Sequence, residues 1–161
     1  MTTEQNNSML AYCGLYCGAC SFKVAYEEND RAHLTAAPSK YDKYKSEPLQ
    51  PCAGCKPDPD SCGDCGIRTC AKAKGHRHCG ECSDFPCIRL LDFGADGIPH
   101  HTQAVLNLKD LKEMGETKWL EQQERRWKCS CGGRLSWYVS KCPKCGGIYM
   151  DGQDKQDKTK T

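Results

Sequence analysis

Long apolar runs, net charge and ordinary core residues are all scarce in this chain of 161 residues, and each shortage excludes something. No stretch approaches the length of apolar sequence that a transmembrane helix needs, so no membrane partner is expected. The opening MTTEQNNSML has neither a basic segment nor an apolar run, which removes the marks of a secretory signal, and a cytoplasmic location is expected. A formal charge of +2 is too small to call for a nucleic-acid partner by itself. Only three phenylalanines are present, and 15 cysteines swell the apolar share of 38%. With a mean hydropathy of -0.74, little ordinary core material remains. Such a chain buries too little surface to offset its conformational entropy. Something other than apolar packing must close the fold, and disulfides or metal ions are the usual means.

The cysteines decide between those two. In a reducing compartment, clustered cysteines point to metal or catalysis rather than to disulfides, and an odd count of 15 fits complete pairing poorly. The spacing agrees. Cys17/Cys20, Cys52/Cys55, Cys62/Cys65 and Cys79/Cys82 are Cys-x-x-Cys pairs, with Cys13, Cys70 and Cys87 as singles. Eight cysteines fall between Cys52 and Cys87, separated by Gly, Pro and Asp, so loops and knuckles are expected there rather than long helices or strands. Two segments repeat: CGDCGIRTC from Cys62 to Cys70 and CGECSDFPC from Cys79 to Cys87. They read as duplicated ligand units. Eleven cysteines complete two tetrahedra and leave three ligands over; His33, His76 or His78 could complete a third site. The bland readings are a helix-surface or half-buried His33, a solvated basic loop around His76 and His78, and capping roles for His100 and His101.

At the other end, Cys129 and Cys131 precede Cys142 and Cys145 by a short connection. Two cysteine turns on facing hairpins supply the four soft ligands that zinc prefers, and CPKCGG is a typical knuckle. The first pair, Cys-Ser-Cys, is one residue shorter than usual, which is expected to strain the site. Between the two cysteine regions, CIRLLDF reads as a short helix ended by Gly94 and Gly97. His101 to Met114 reads as an amphipathic helix with Val105, Leu108, Leu111 and Met114 on one face. Thr117 reads as the N-cap of a further helix that turns Trp119, Leu120 and Trp127 inward. Val24, Ala25, His33 and Leu34 are expected in buried helix faces, and Leu135 to Val139 in a β segment.

The expected architecture is a small metal-stabilised, irregular α+β fold. It comprises a cysteine-knuckle domain over 10–97, a helical connector over 98–127, a zinc ribbon over 128–150 and a disordered tail over 151–161. All 15 cysteines are candidate ligands: Cys13, Cys17, Cys20, Cys52, Cys55, Cys62, Cys65, Cys70, Cys79, Cys82, Cys87, Cys129, Cys131, Cys142 and Cys145.

The segments YCGLYCGAC, CAGC, CGDCGIRTCAKAKG, HCGEC and DFPC resemble an uncharacterised prokaryotic family, domain of unknown function 3795. The resemblance covers residues 12 to 90 and takes in Gly14, Leu15, Gly54, Ile67, Arg68 and Pro86 with the eleven cysteines. It implies zinc binding and no assigned activity; some members carry a similar C-terminal ribbon. The family is common in anaerobes, which keeps iron–sulfur chemistry open.

Three functions follow. The first is a multi-zinc module that binds a protein, or a nucleic acid through Arg125, Arg126, Lys128 and Arg134 interleaved with Trp127, Trp137 and Tyr138. The second is an iron–sulfur protein in electron transfer or redox sensing, since thiolates hold both metals. Cys13-x3-Cys17-x2-Cys20 even matches the spacing of radical S-adenosylmethionine enzymes, but this chain is too small and too polar for their barrel. The third is a zinc enzyme. It lacks support, because Asp64, Glu81 and Asp84 near the ligands read as turn formers and no nucleophile–base pair is evident.

Overall fold

The computed structural model describes residues 9–57 and 63–149. Cys62 and the tail from Asp151 onward, expected as a ligand and as disorder, lie outside the described residues. The chain divides into two compact units, each made from two stretches of sequence. Unit 1 takes residues 1–17 and 51–123, and unit 2 takes 18–50 and 124–161.

The described residues are helical, with short helices at Ser21–Glu28 (α1), Asp42–Ser46 (α2), Gly66–Ala73 (α3) and Ile88–Gly94 (α4). Two longer ones follow at Gln103–Met114 (α5) and Glu116–Arg126 (α6). Among them, the β part of the expected α+β fold reduces to the isolated bridges Leu10↔Tyr16, Lys128↔Arg134 and Lys141↔Ile148. Leu135 to Val139, expected to be β, instead turns at Trp137 and Tyr138, with the Val139 amide donating to the Ser136 carbonyl at 3.2 Å. The loop expected throughout Cys52–Cys87 also gives way at α3. In GIRTCAKA, good helix formers follow Gly66 without a proline, so Cys70 sits inside a helix. In the second repeat, Pro86 occupies the corresponding stretch and cannot lie in a helix interior. Over the described residues 65–70 and 82–87, the two matching sequences therefore take different backbones. Helix α6 starts at Glu116, directly after Gly115, so Thr117 lies within the helix rather than capping it.

In unit 1, α5 is the element on which the rest packs. Its buried face is Ala104, Asn107, Leu108 and Leu111. Against it lie α4, the 3-10 turn Cys79–Glu81 and the 3-10 turn Pro99–Thr102. Residues 10–16 lie on the same helix. Asn107 Nδ2 donates to the Gly14 carbonyl at 3.0 Å, and the Cys79 amide donates to the Tyr12 carbonyl at 2.8 Å. Tyr16 meets Trp119 edge-on, ring centroids 6.1 Å apart, and Leu10, Leu90 and Leu120 are fully buried.

In unit 2, Val24, Ala25, Leu34, Trp127 and Leu135 are buried, as the sequence suggested for each but Leu135. The centre is nevertheless polar. Ser21 Oγ donates to Ser136 Oγ at 3.0 Å; Ser136 Oγ meets His33 Nδ1 at 3.0 Å, and His33 Nε2 meets Glu28 Oε2 at 3.3 Å. His33, Ser21 and Ser136 are wholly inaccessible. Ser21, Ser136 and both nitrogens of His33 thus each have a partner, which is the condition for burying them at all.

Two predictions follow from these contacts. Gly14 has φ +89°, and a Cβ there would meet Leu108 Cγ at 2.5 Å and the Ala104 carbonyl at 2.8 Å. Gly14→Ala should cost about 2–4 kcal/mol of unfolding free energy, combining backbone strain with overpacking. Gly97→Ala, at φ +82° with open space around it, should cost about 1–2 kcal/mol. Denaturant unfolding compares the two, and equal costs would refute the close packing. In unit 2, burial acts to raise the Glu27 carboxyl, but hydrogen bonds from Lys23 and Arg134 outweigh it and hold the group below its usual range. A depressed carboxylate contributes stability above its unfolded pKa and loses it on acidification. Glu27→Gln should therefore cost roughly 0.5–1 kcal/mol at neutral pH, and the difference should fade as pH drops through the carboxylate range.

Candidate metal centres

The C-terminal site is built by two tight turns of the same design. In the first, the Cys129 amide donates to the Gly133 carbonyl and the Gly132 amide to the Cys129 carbonyl, both at 2.8 Å. In the second, Cys142 and Gly147 pair in the same way, with the Gly146 amide closing on Cys142, also at 2.8 Å. Gly132 and Gly146 take positive φ, +82° and +73°, where a side chain would strain. The Cys-Ser-Cys turn is one residue short, and its glycine pair comes one residue earlier to match. The hydrogen-bonding plan is thereby preserved.

The outcome is convergence. The sulfurs of Cys129, Cys131, Cys142 and Cys145 all lie within 4.8 Å of one another. Across the two turns, Cys129 Sγ stands 3.7 Å from Cys145 Sγ, and Cys131 Sγ 3.7 Å from Cys142 Sγ. A tetrahedron with zinc–sulfur bonds of about 2.3 Å has edges of about 3.8 Å, so these sulfurs fit one metal ion. Without one, they compete for protons. The Cys131 amide and thiol hold Cys129 below the usual thiol range. Cys145 accepts from the Gly147 amide, yet the thiols of Cys131 and Cys129 push it up.

Other cysteines gather in unit 1. Burial, opposed by a hydrogen bond from Leu15, pushes the Cys13 thiol up to about 12, and neighbouring Cys55, Cys65 and Cys79 push the same way. Burial also raises Cys79 to about 12, reinforced by Cys87, Cys70, Cys82 and Cys65. Cys65 and Cys79 thus belong to both thiol neighbourhoods. Crowded thiols resist ionising because the thiolates would repel, and a bound cation inverts that logic. Beside the first neighbourhood, Lys56 lies 5.5 Å from the Tyr12 ring centroid. Burial lowers its pKa against the pull of Glu116, Cys55 and Cys17.

Beside the second neighbourhood, Lys74 Nζ donates to Cys82 Sγ at 3.4 Å and to Asp84 Oδ2 at 2.9 Å. Asp84 is therefore tied to a lysine, and Glu81 to Arg77 Nε at 2.9 Å, which suits structural carboxylates better than general bases.

The histidines separate clearly. His33 is a core residue with both ring nitrogens occupied, not a half-buried surface group. His101 stacks on Phe93 with centroids 3.7 Å apart and pairs with Asp96 at 2.8 Å, and His100 is buried in the same turn. His78, expected in a solvated loop, is buried instead, and its Nδ1 has no hydrogen-bond partner among the described residues. Burial lowers its pKa against the pull of Glu81, so it stays neutral, the form that binds metal. His76 lines a cavity together with Cys70 and Cys79. Sequence periodicity could not have flagged His78, because its burial comes from the turn Cys79–Glu81 docking on α5.

Among the described residues, no helix is long and apolar enough to cross a membrane. The family described as Protein of unknown function (DUF3795) matches residues 9–92, which takes in the cysteines from Cys13 to Cys87. Neither a curated protein nor a solved structure matches the chain.

The close packing behind the C-terminal turns gives a test. A Cβ on Gly133 would meet Cys142 Sγ at 2.8 Å and Cys131 Sγ at 3.4 Å. Gly133→Ala should displace a ligand sulfur and weaken cobalt binding at this site roughly 10–100-fold, as changes behind metal ligands commonly do. Titration of the tetrahedral cobalt absorption reads this directly, and an unchanged affinity would show that the sulfurs do not act as a set.

Proposed function

The chain belongs to the family described as Protein of unknown function (DUF3795), and from that premise we propose that it is a multi-metal thiolate protein whose C-terminal site holds structural zinc. The observation that carries the reading is the pair of 3.7 Å sulfur–sulfur distances across the two C-terminal turns, which match the edges of a zinc–thiolate tetrahedron. Four protein ligands leave no open coordination position. The proposed zinc is therefore a fold-holding ion rather than a catalytic one, and the turns around it form a zinc ribbon. Cys13 to Cys87 are the proposed ligands of further sites, with His78 available to complete one. A reducing, cytoplasmic setting suits thiols kept for metal.

The proposed role is interaction with a protein. Arg134, a cation of the suggested nucleic-acid surface, is engaged by Glu27 at 2.6 Å and by the Gly18 carbonyl at 3.2 Å. Trp127 is buried, with the Arg126 guanidinium over its ring at 5.3 Å. Both are thus withdrawn from phosphate contact and base stacking, which supports a protein partner over a nucleic acid. Ile148, beside the last knuckle, is 78% exposed and offers an apolar contact.

Metal analysis of the full chain tests the reading. Cys142→Ser should remove one zinc per chain and lower the stability of unit 2 by several kcal/mol, since structural zinc supplies about 10–16 kcal/mol in small zinc peptides. A zinc content unchanged by the substitution would overturn the proposed site.

A further inference from the structure

Unit 1 contains a cavity of about 210 Å³ whose walls include Cys70, Cys79, Cys82 and Cys87. We propose that this cavity binds an iron–sulfur cluster, with those four cysteines as its ligands. The inference rests on the reading of the unit 1 cysteines as metal ligands and extends it to a cofactor of different size and chemistry.

Size is the first argument. A water-sized body needs about 10–15 Å³ of such space, so the cavity is roughly tenfold larger than a single ion requires. At the C-terminal site the sulfurs converge on a point; here four cysteines line a volume. Among the described residues, the set of sulfurs lying within 4.8 Å of one another is the C-terminal one. A mononuclear tetrahedron would need the cavity thiols to collapse inward, whereas a cluster carries its irons outward to them.

Chemistry is the second argument. The donor set is sulfur, which selects zinc, copper or iron–sulfur clusters over magnesium or calcium. Asp84, the carboxylate in the wall, is held by Lys74 at 2.9 Å, so it does not compete as a ligand. Phe85, Ile88 and Leu90 supply apolar wall, of which Leu90 is fully buried and Ile88 is exposed. A cluster bound by four thiolates is an anion, and two cations line the same space, Lys74 and Arg89. Lys74 already donates to Cys82 Sγ at 3.4 Å, the contact that stabilises a cluster-ligating sulfur. Binding asks no redox step of the protein. Each thiol releases its proton to solvent as its sulfur takes one iron of a preformed cluster and displaces that iron's labile thiolate.

The arrangement also accounts for the sequence repeat. Cys70 ends the first triad, and Cys79, Cys82 and Cys87 form the second. The helix α3 brings Cys70 to the cavity that the second triad encloses, so the triads contribute unequally to one site instead of forming two copies of it.

The test uses the full chain purified without oxygen, with zinc, iron and acid-labile sulfide measured separately. Iron and sulfide should appear in equal amounts, with brown colour, alongside the C-terminal zinc. Cys82→Ser and Cys87→Ser should each lose most of the iron and sulfide while the zinc stays. Cys142→Ser should lose zinc while iron and sulfide stay. Because a ligand variant could unfold unit 1, Lys74→Met provides a second readout. It should keep its iron and sulfide but show a lower reduction potential, since the hydrogen bond to Cys82 Sγ is lost. Zinc without sulfide in the unaltered protein would overturn the cluster and leave the C-terminal zinc intact; sulfide without zinc would do the reverse. Iron and sulfide retained in both cysteine variants, or an unchanged potential in Lys74→Met, would overturn the assignment to this cavity.

Discussion

Mutual repulsion among crowded thiolates is the constraint on which this fold depends. Thiols brought to 3.7 Å at the C-terminus, and packed around Cys79 in unit 1, cannot all ionise without a cation among them. In most small domains the centre is apolar and folding is driven by its burial. Here a modest set of buried apolar residues shares the interior with hydrogen-bonded polar groups such as His33 and Ser136, and most of the described cysteines are only half-buried. The sulfur and polar positions contribute little until a metal couples the sulfurs or a partner satisfies the polar atom. Where a metal fills such a site, folding and metal binding become one equilibrium, as in other small thiolate domains.

The apolar residues that remain are placed to hold the cysteine loops rather than to form a large core. Leu108 lies under Gly14, and Asn107 fixes the Gly14 carbonyl. The Tyr12 carbonyl in turn receives the Cys79 amide, so the loop carrying Cys13 and the turn carrying Cys79 share one register. A glycine at position 14 is required for both reasons at once: its positive φ and the absence of space for a Cβ. In unit 2 the same work falls to a polar relay, with Arg134 tying the first knuckle to Glu27 and to the Gly18 carbonyl.

Much of this was legible in the sequence, and the physical reasons for the rest are specific. The C-terminal quartet was readable because all its ligands are local, so spacing alone bounds their separation. Short amphipathic segments such as α4 and α5 were readable from apolar periodicity. Helix α3 was not, because cysteine density hides a good helix former run behind a loop-like composition. The equivalence of the two triads failed as backbone geometry for a single reason: Pro86 forbids in one what GIRTC adopts in the other. Nor could spacing reveal that residues 18–50 join 124–161, or that His33 meets Ser136 far along the chain; those pairings belong to tertiary packing alone.

The two kinds of thiol site also differ in what surrounds them, and the difference bears on what each can do. At the C-terminus, glycine amides and carbonyls close each turn, Cys131 and Cys145 face solvent, and no cationic hydrogen bond to a sulfur is seen among the described residues. Such a site gains from a dication that neutralises four thiolates once and changes no further. Cys70, Cys79, Cys82 and Cys87 neighbour one another without converging on a point, an ammonium already bonds one of them, and Phe85, Ile88 and Leu90 lie in the same wall. A hydrogen bond to a ligand sulfur is one of the levers by which a protein tunes a cofactor that changes charge. A purely structural ion does not need it. The proposed sites thus differ: one is a compact thiolate set suited to fixing shape, the other a wider pocket in which a lysine already bonds one sulfur.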